Sequence, residues 1–130
     1  MSDTTRVEIE TALHRLNALV GGKDMAVADQ FEDSGSALLV GSETGEIARG
    51  RPAIAAFFQS LFAQPVTIGW DWASLETGAE GDVLWFFAEG HAVLDRAGVV
   101  DRVPYRLSGI LLRRPGGLIW RQFHGAEPRA

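Results

Sequence analysis

Cysteine is absent from the 130 residues, which excludes disulfides and thiolate metal sites and is compatible with a reducing compartment. Long apolar runs are missing too, and nothing approaches the ~18 residues of a membrane-spanning helix. The opening Met1-Ser2-Asp3-Thr4-Thr5 lacks the basic start and apolar stretch of a secretion signal. The cytoplasm is therefore the expected location, with no membrane partner. Basic residues number 12 against 17 acidic ones, for a net charge of −5, and the two signs are interspersed. A nucleic-acid surface needs a clustered basic face, so no nucleic-acid partner is expected. There is no Gly-x-Ser-x-Gly elbow, Walker-type loop or dinucleotide fingerprint. No His/Asp/Glu set has metal-ligand spacing. Covalent catalysis, nucleotide binding and redox chemistry lack support, and no cofactor is expected.

What is present is a chain with 46% hydrophobic side chains, enough for one domain over residues 1–130 with a real core. The second half organises it. Segments Val66–Thr77, Val83–Leu94, Val99–Arg113 and Leu118–His124 alternate with the turn-forming separators Gly78…Gly81-Asp82, Asp95-Arg96-Ala97-Gly98 and Arg114-Pro115-Gly116-Gly117. The first three segments are about twice the usual strand length of roughly 5–6 residues. Each carries a glycine near its middle, Gly69, Gly90 and Gly109, where a strand can bulge or bend. The expectation is a strongly curved antiparallel sheet with a concave face. Val83, Trp85 and Phe87 share one parity, followed by Glu89 and His91; Leu84, Phe86, Ala88, Ala92 and Leu94 share the other. Apolar residues on both parities predict that both faces are covered. The helices are too few for both, so the second face calls for another copy of the chain.

Before the strands, Thr5 and Glu8 have capping-box spacing, and Ile9, Leu13, Leu16 and Val20 recur at helical spacing until Gly21-Gly22. Asp24 can cap a second, short helix through Phe31. Ala37–Val40 and Ile47–Arg49 form a small hairpin. A third helix starts near Gly50-Arg51-Pro52, with Ile54, Phe57, Phe58 and Leu61 as its apolar stripe. The order is helix, helix, hairpin, helix and a four-stranded meander, an α+β domain in which Phe57, Phe58 and Leu61 close the bent sheet.

Three stretches carry a family resemblance. Phe31-Glu32-Asp33, then a strand, then Gly50-Arg51-Pro52-Ala53-Ile54 is similar to an acidic loop, strand and Gly-Arg-x-x-Ile helix. Gly81-Asp82-Val83-Leu84-Trp85 is similar to a Gly-Asp-x-Ala-Trp strand entry, and Gln122-Phe123-His124-Gly125-Ala126-Glu127-Pro128 to a closing Gln-Phe-His-x-Ser-x-Pro. Over nearly its whole length the chain resembles polyketide-cyclase (SnoaL)-like proteins of the nuclear transport factor 2-like superfamily. The resemblance implies a cone of three helices on a curved, mixed but mainly antiparallel sheet, cystatin-like, with a pocket inside and homodimers through the outer sheet face. That superfamily holds ketosteroid isomerases, cyclases and dehydratases, and also the association domain of calmodulin-dependent kinases, so the fold leaves function open. The ketosteroid-isomerase pattern is not met: Val40-Gly41-Ser42-Glu43 stands where its Asp follows the first strand, and the one tyrosine, Tyr105, is on a late strand. Cyclase-like relatives keep an acid/base group on the late strands, where His124 is the candidate; Ala126 replaces the usual serine after it.

Two functions stay open. One is a cofactor-independent lyase, isomerase or cyclase with His124 as proton carrier, Asp33 as a carboxylate at the cone's mouth, and Tyr105 or Gln122 as hydrogen-bond partner. The other is a module that binds a small molecule or assembles without catalysis. In either, Trp70, Trp72, Trp85, Trp120 and Phe57 offer aromatic walls for an apolar or aromatic ligand, though some of these are core or interface residues. Blander roles compete: His124 can bond backbone at the sheet edge, and Asp33 can be a turn residue. Trp120 and Gln122, read on the same parity as His124, can line a pocket or a dimer interface. Glu89 and His91 read better as an exposed polar strand end than as an acid/base pair.

Overall fold

Glycine, aspartate and proline cut the second half into β3 (Thr67–Glu80), β4 (Val83–Arg96), β5 (Val99–Arg114) and β6 (Gly117–Ala126), each strand ending slightly later than expected from sequence. The computed structural model describes residues 2–128. The hairpin β1 (Leu38–Val40) and β2 (Ile47–Arg49) completes a sheet of order β2-β1-β6-β5-β4-β3. Among the described strands β1 pairs with β6 in parallel and the other pairs are antiparallel, so the sheet is mixed and mainly antiparallel, as expected. Helix α1 (Ser2–Gly21) lies along β3, while α2 (Arg51–Phe62) packs on β2 and on a 3-10 helix at Met25–Gln30.

Local chemistry accounts for most helix ends. Pro52 sits in the first turn of α2, where its missing N–H costs nothing. Asp24 caps the 3-10 helix by accepting from the Ala26 N–H at 2.9 Å. The capping box at Thr5 does not form, because α1 already begins at Ser2. Thr5 is buried inside the helix, and Glu8 instead accepts from Arg113 at 2.8 and 3.0 Å. That pair ties α1 to the end of β5.

The sheet bends at two bulges, neither of them on a glycine. Trp72 pairs with Gly90 and Ser74 with Glu89, leaving Ala73 extra on β3. Gln122 pairs with Ile110 and Trp120 with Leu111, leaving Arg121 extra on β6. The glycines sit on the neighbouring strand and give the crease room. A Cβ at Gly90 would collide with the Asp71 carbonyl, and one at Gly109 would lie 2.7 Å from the Gln122 carbonyl oxygen.

Curvature gives each parity its side. Leu84, Phe86, Ala88 and Ala92 face the helices and are buried, as are Leu107, Leu111 and Phe123 across the register. The opposite parity is uncovered in this chain: Trp85, 45% exposed, lies across Gly78, with Val83 at 40% and Ile47 at 58% beyond it. Phe58, on the stripe expected to close the cone, is 2% exposed and packs edge-on against Phe57.

Arg121 is anchored as well as extra. Its Nε and Nη2 donate to Glu32 at 2.9 and 2.7 Å, Ser34 donates to the same carboxylate, and the Glu32 N–H donates to the Trp120 carbonyl at 2.8 Å. The Arg121 hydrogen bonds hold the Glu32 carboxyl below its ordinary range, against the opposing effect of burial. A carboxyl so depressed contributes stability that is complete above its unfolded value and lost as pH falls through its folded one. Glu32→Gln should therefore lower the melting temperature by several degrees at neutral pH. The gap to wild type should close as pH falls through the carboxylate range; a gap that does not depend on pH would refute the ion pair's role.

Candidate functional site

The concave face is not completely filled. A cavity of about 210 Å³ remains between it, α2 and the β1–β2 turn. Phe57, Phe58 and Leu61 from α2, Ile68 and Trp70 from β3, Tyr105 from β5 and Phe123 from β6 form its walls. They belong to an aromatic run in which neighbouring ring centres are 5.4 to 6.3 Å apart: Phe57–Phe58, Phe58–Phe31, Phe31–Trp120, Trp120–Phe123, Phe123–Trp70, Trp70–Tyr105 and Tyr105–Trp72. The rim carries Ser42, Glu43 and Glu46 from the β1–β2 turn, Glu127 after β6 and Arg96 at the end of β4. A second hollow, about 280 Å³, opens along the surface between α1 and edge strand β3, with Trp70 and Trp72 in its wall.

Tyr105 is the polar centre of the cavity. It is 7% exposed, and its hydroxyl stands directly over Gly125, where any Cβ would collide with it. Burial pushes its pKa well above the ordinary tyrosine value, the Glu127 and Glu46 carboxylates push it further, and the nearby Ser42 and Trp70 side chains offset part of this. At neutral pH Tyr105 is a proton donor. The Trp70 Nε1 beside it is buried and makes no hydrogen bond of acceptable geometry. Ser42 donates to Glu127 at 2.5 Å, and Glu46 accepts from the Glu43 N–H at 3.0 Å. Among the described residues no three His, Asp or Glu side chains converge as metal ligands would.

Of the residues expected from sequence, Tyr105 and Phe57 meet in this cavity. The others lie elsewhere. Trp120, Gln122 and His124 do not share a face, because the bulge at Arg121 resets the alternation between them. Trp120 is buried in the core, 2% exposed, whereas Gln122 and His124 pair with Ile110 and Ser108 on the outer parity, and His124 is exposed. Trp85 is on the outer face. Asp33 is exposed beside Arg51, 3.8 Å from Nη1, and does not reach the cavity. Glu89 is exposed and paired at 3.4 Å with Arg106 on the neighbouring strand, but it stands in the middle of β4 and not at the strand end expected from sequence. Sequence reasoning missed Ser42, Glu43, Glu46 and Glu127. The alternation after the bulge, Phe123, Gly125, Glu127, would have found the last of these.

The fit of Tyr105 over Gly125 is testable. Gly125→Ala should destabilise the fold by about 1–3 kcal/mol, as overpacking does. In a Tyr105→Leu background the same change should cost almost nothing. Equal cost in both backgrounds would mean that the two residues do not meet.

Comparison with known proteins places the fold. A candidate dehydratase of the NTF2-like family from Streptomyces avermitilis superposes with a TM-score of 0.86 at 12% identity, covering 100% of both chains. An NTF2-like superfamily protein from Salmonella enterica gives 0.83 at 17%, covering 100% of this chain and 95% of that one. A Catenulispora acidiphila protein in complex with S-DNPA gives 0.82 at 15%, covering 96% and 94%. At such identities the likeness carries the fold alone. No curated protein matches. The SnoaL-like domain model matches residues 9–126, and the chain belongs to that family within the NTF2-like fold.

Proposed function

We propose that this SnoaL-like protein binds a small apolar or aromatic molecule in the cavity between α2 and the concave sheet, with Tyr105 as the donor that orients it. The buried Tyr105 hydroxyl inside an aromatic-walled space carries this reading. A flat apolar body gains the wall contacts, and one oxygen on it accepts from the phenol. The volume suits a molecule of one or two rings rather than a polymer.

The same geometry supports a cofactor-independent lyase, isomerase or cyclase. Two kinds of titratable group converge: a phenol that stays protonated and rim carboxylates at Glu46 and Glu127. In a proton transfer a carboxylate takes the proton from a carbon acid, and the Tyr105 O–H stabilises the oxyanion that develops. We thus assign to Glu46 or Glu127 the proton-carrier part that sequence alone gave to His124, which stands outside the cavity, and leave to Tyr105 the part of hydrogen-bond partner. Binding without catalysis is favoured by the exposure of Glu43 and Glu127 to water, since a general base works best where solvent is excluded. The bare apolar face around Trp85 supports self-association, which we propose as homodimers through the outer sheet. A cysteine-free chain loses nothing in the reducing cytoplasm, the compartment we propose.

A thermal-shift screen of small ring compounds tests the reading. Hits should raise the melting temperature of wild type, and Tyr105→Phe should weaken their binding about tenfold, as expected for one lost buried hydrogen bond. If there is turnover, Tyr105→Phe should reduce it by about 10²–10³-fold. Unchanged affinity and turnover in a folded Tyr105→Phe protein would refute the assignment. For assembly, light scattering should show a dimer at micromolar concentration that Trp85→Arg shifts toward monomer; a wild-type monomer at high concentration would refute it.

A further inference from the structure

We propose that the molecule this cavity selects is an organic cation: a protonated amine on a small apolar or aromatic body, with the charge held at the rim. The proposal rests on the binding reading above and names its ligand class.

The rim has three carboxylates, Glu43, Glu46 and Glu127, against one guanidinium, Arg96. Arg96 already has a counter-charge, Asp101, at 3.9 Å. Among the described residues none of the three glutamates is in an ion pair. Several acids elsewhere are matched: Glu8 with Arg113, Glu32 with Arg121 and Arg114, Asp71 with Arg102. Other acids without an ion pair, Asp29, Glu76, Glu80 and Asp82, stand exposed elsewhere, whereas these three share the mouth of one cavity.

Two of these carboxylates are held in place. Ser42 fixes one oxygen of Glu127, and the Glu43 N–H fixes one oxygen of Glu46. Their second oxygens make no hydrogen bond among the described residues. A carboxylate cluster on an open surface would say little, but this one crowns an aromatic-walled cavity. The faces of Trp70, Tyr105 and Phe57 attract a cation, most strongly where it is desolvated.

A second observation is independent of charge. The Trp70 Nε1 is buried in the wall beside the Tyr105 hydroxyl and makes no hydrogen bond of acceptable geometry. A buried donor left unmade is costly, and an oxygen or nitrogen on the ligand's body satisfies it. An anion of the same shape meets the carboxylates head-on and is rejected. A neutral analogue gains the walls and loses the charge.

Three probes with one ring, a hydroxyl oxygen on that ring to accept from Tyr105, and one short arm separate these cases: tyramine (the amine), 2-(4-hydroxyphenyl)ethanol (the alcohol) and 4-hydroxyphenylacetate (the phenylacetate), titrated calorimetrically into the full chain. The amine should bind about tenfold tighter than the alcohol, with phenylacetate weakest. The amine-over-alcohol ratio should shrink as salt is raised. In the Glu46→Gln, Glu127→Gln double variant it should fall to within about threefold. If that variant does not fold, the salt series on the unaltered protein decides. Alcohol or phenylacetate binding as tightly as the amine overturns the charge selection and leaves the cavity as a binding site. An amine preference that survives both the salt and the double variant also overturns it. Binding of none of the three overturns both this proposal and the reading beneath it.

Discussion

Arg121 is the residue on which the geometry turns. It is the extra residue of a bulge in β6, and its guanidinium is clamped to Glu32 in the loop after the 3-10 helix. The Glu32 N–H bonds the Trp120 carbonyl next to it, so the loop grips the strand at its bend. A bulge adds one residue to one strand and thereby exchanges the faces beyond it. Here that exchange turns Trp120, Phe123 and Gly125 inward and leaves Gln122 and His124 outward. Without it, the closing phrase of the chain would present the other set of side chains to the interior.

The second bulge, at Ala73, works with the first. It keeps Trp70 and Trp72 on the concave side, where both rings stand against Tyr105. Strands of 14 and 16 residues then wrap around an interior too wide for their own side chains to fill. Large rings take up most of the space, and α2 closes the side with Phe57 and Phe58. The cavity remains where Phe57 and Leu61 are only half-buried, next to the β1–β2 turn. Its polar groups come from chain ends and turns, which is where carboxylates can keep part of their hydration while facing inward.

The NTF2-like fold serves proton-transfer enzymes and assembly modules alike, and the difference lies in what stands inside the cone and what covers the sheet. In this chain two surfaces bear on that difference. Its interior brings a buried phenol near acidic groups, and its outer face leaves Trp85, Val83 and Ile47 without cover. The two surfaces are opposite faces of the same strands. A change of register would therefore alter the site and the outer face together.

The sequence by itself determined the elements and their order. Turn residues at Gly81-Asp82, Ala97-Gly98 and Pro115-Gly116 are local signals, and so are the helical stripe from Ile9 to Val20 and the proline at the start of α2. Local conformational preference is enough to read them. It also offered Tyr105 and Phe57 as candidates to line the interior, but the same reasoning offered Trp85, which lies on the outer face, so residue type without register was not enough. Tertiary structure alone decided which side of each strand faces inward. The bulge at Arg121 has no local signature, because an arginine there is extra only by virtue of what Leu111 and Ile110 pair with and what Glu32 holds. Thr5 and Glu8 show the same limit: their spacing suits a cap, but Arg113, far along the chain, takes the carboxylate. A charge-assisted bond between distant residues outweighs a local motif, and nothing in the linear order reveals that the two will meet.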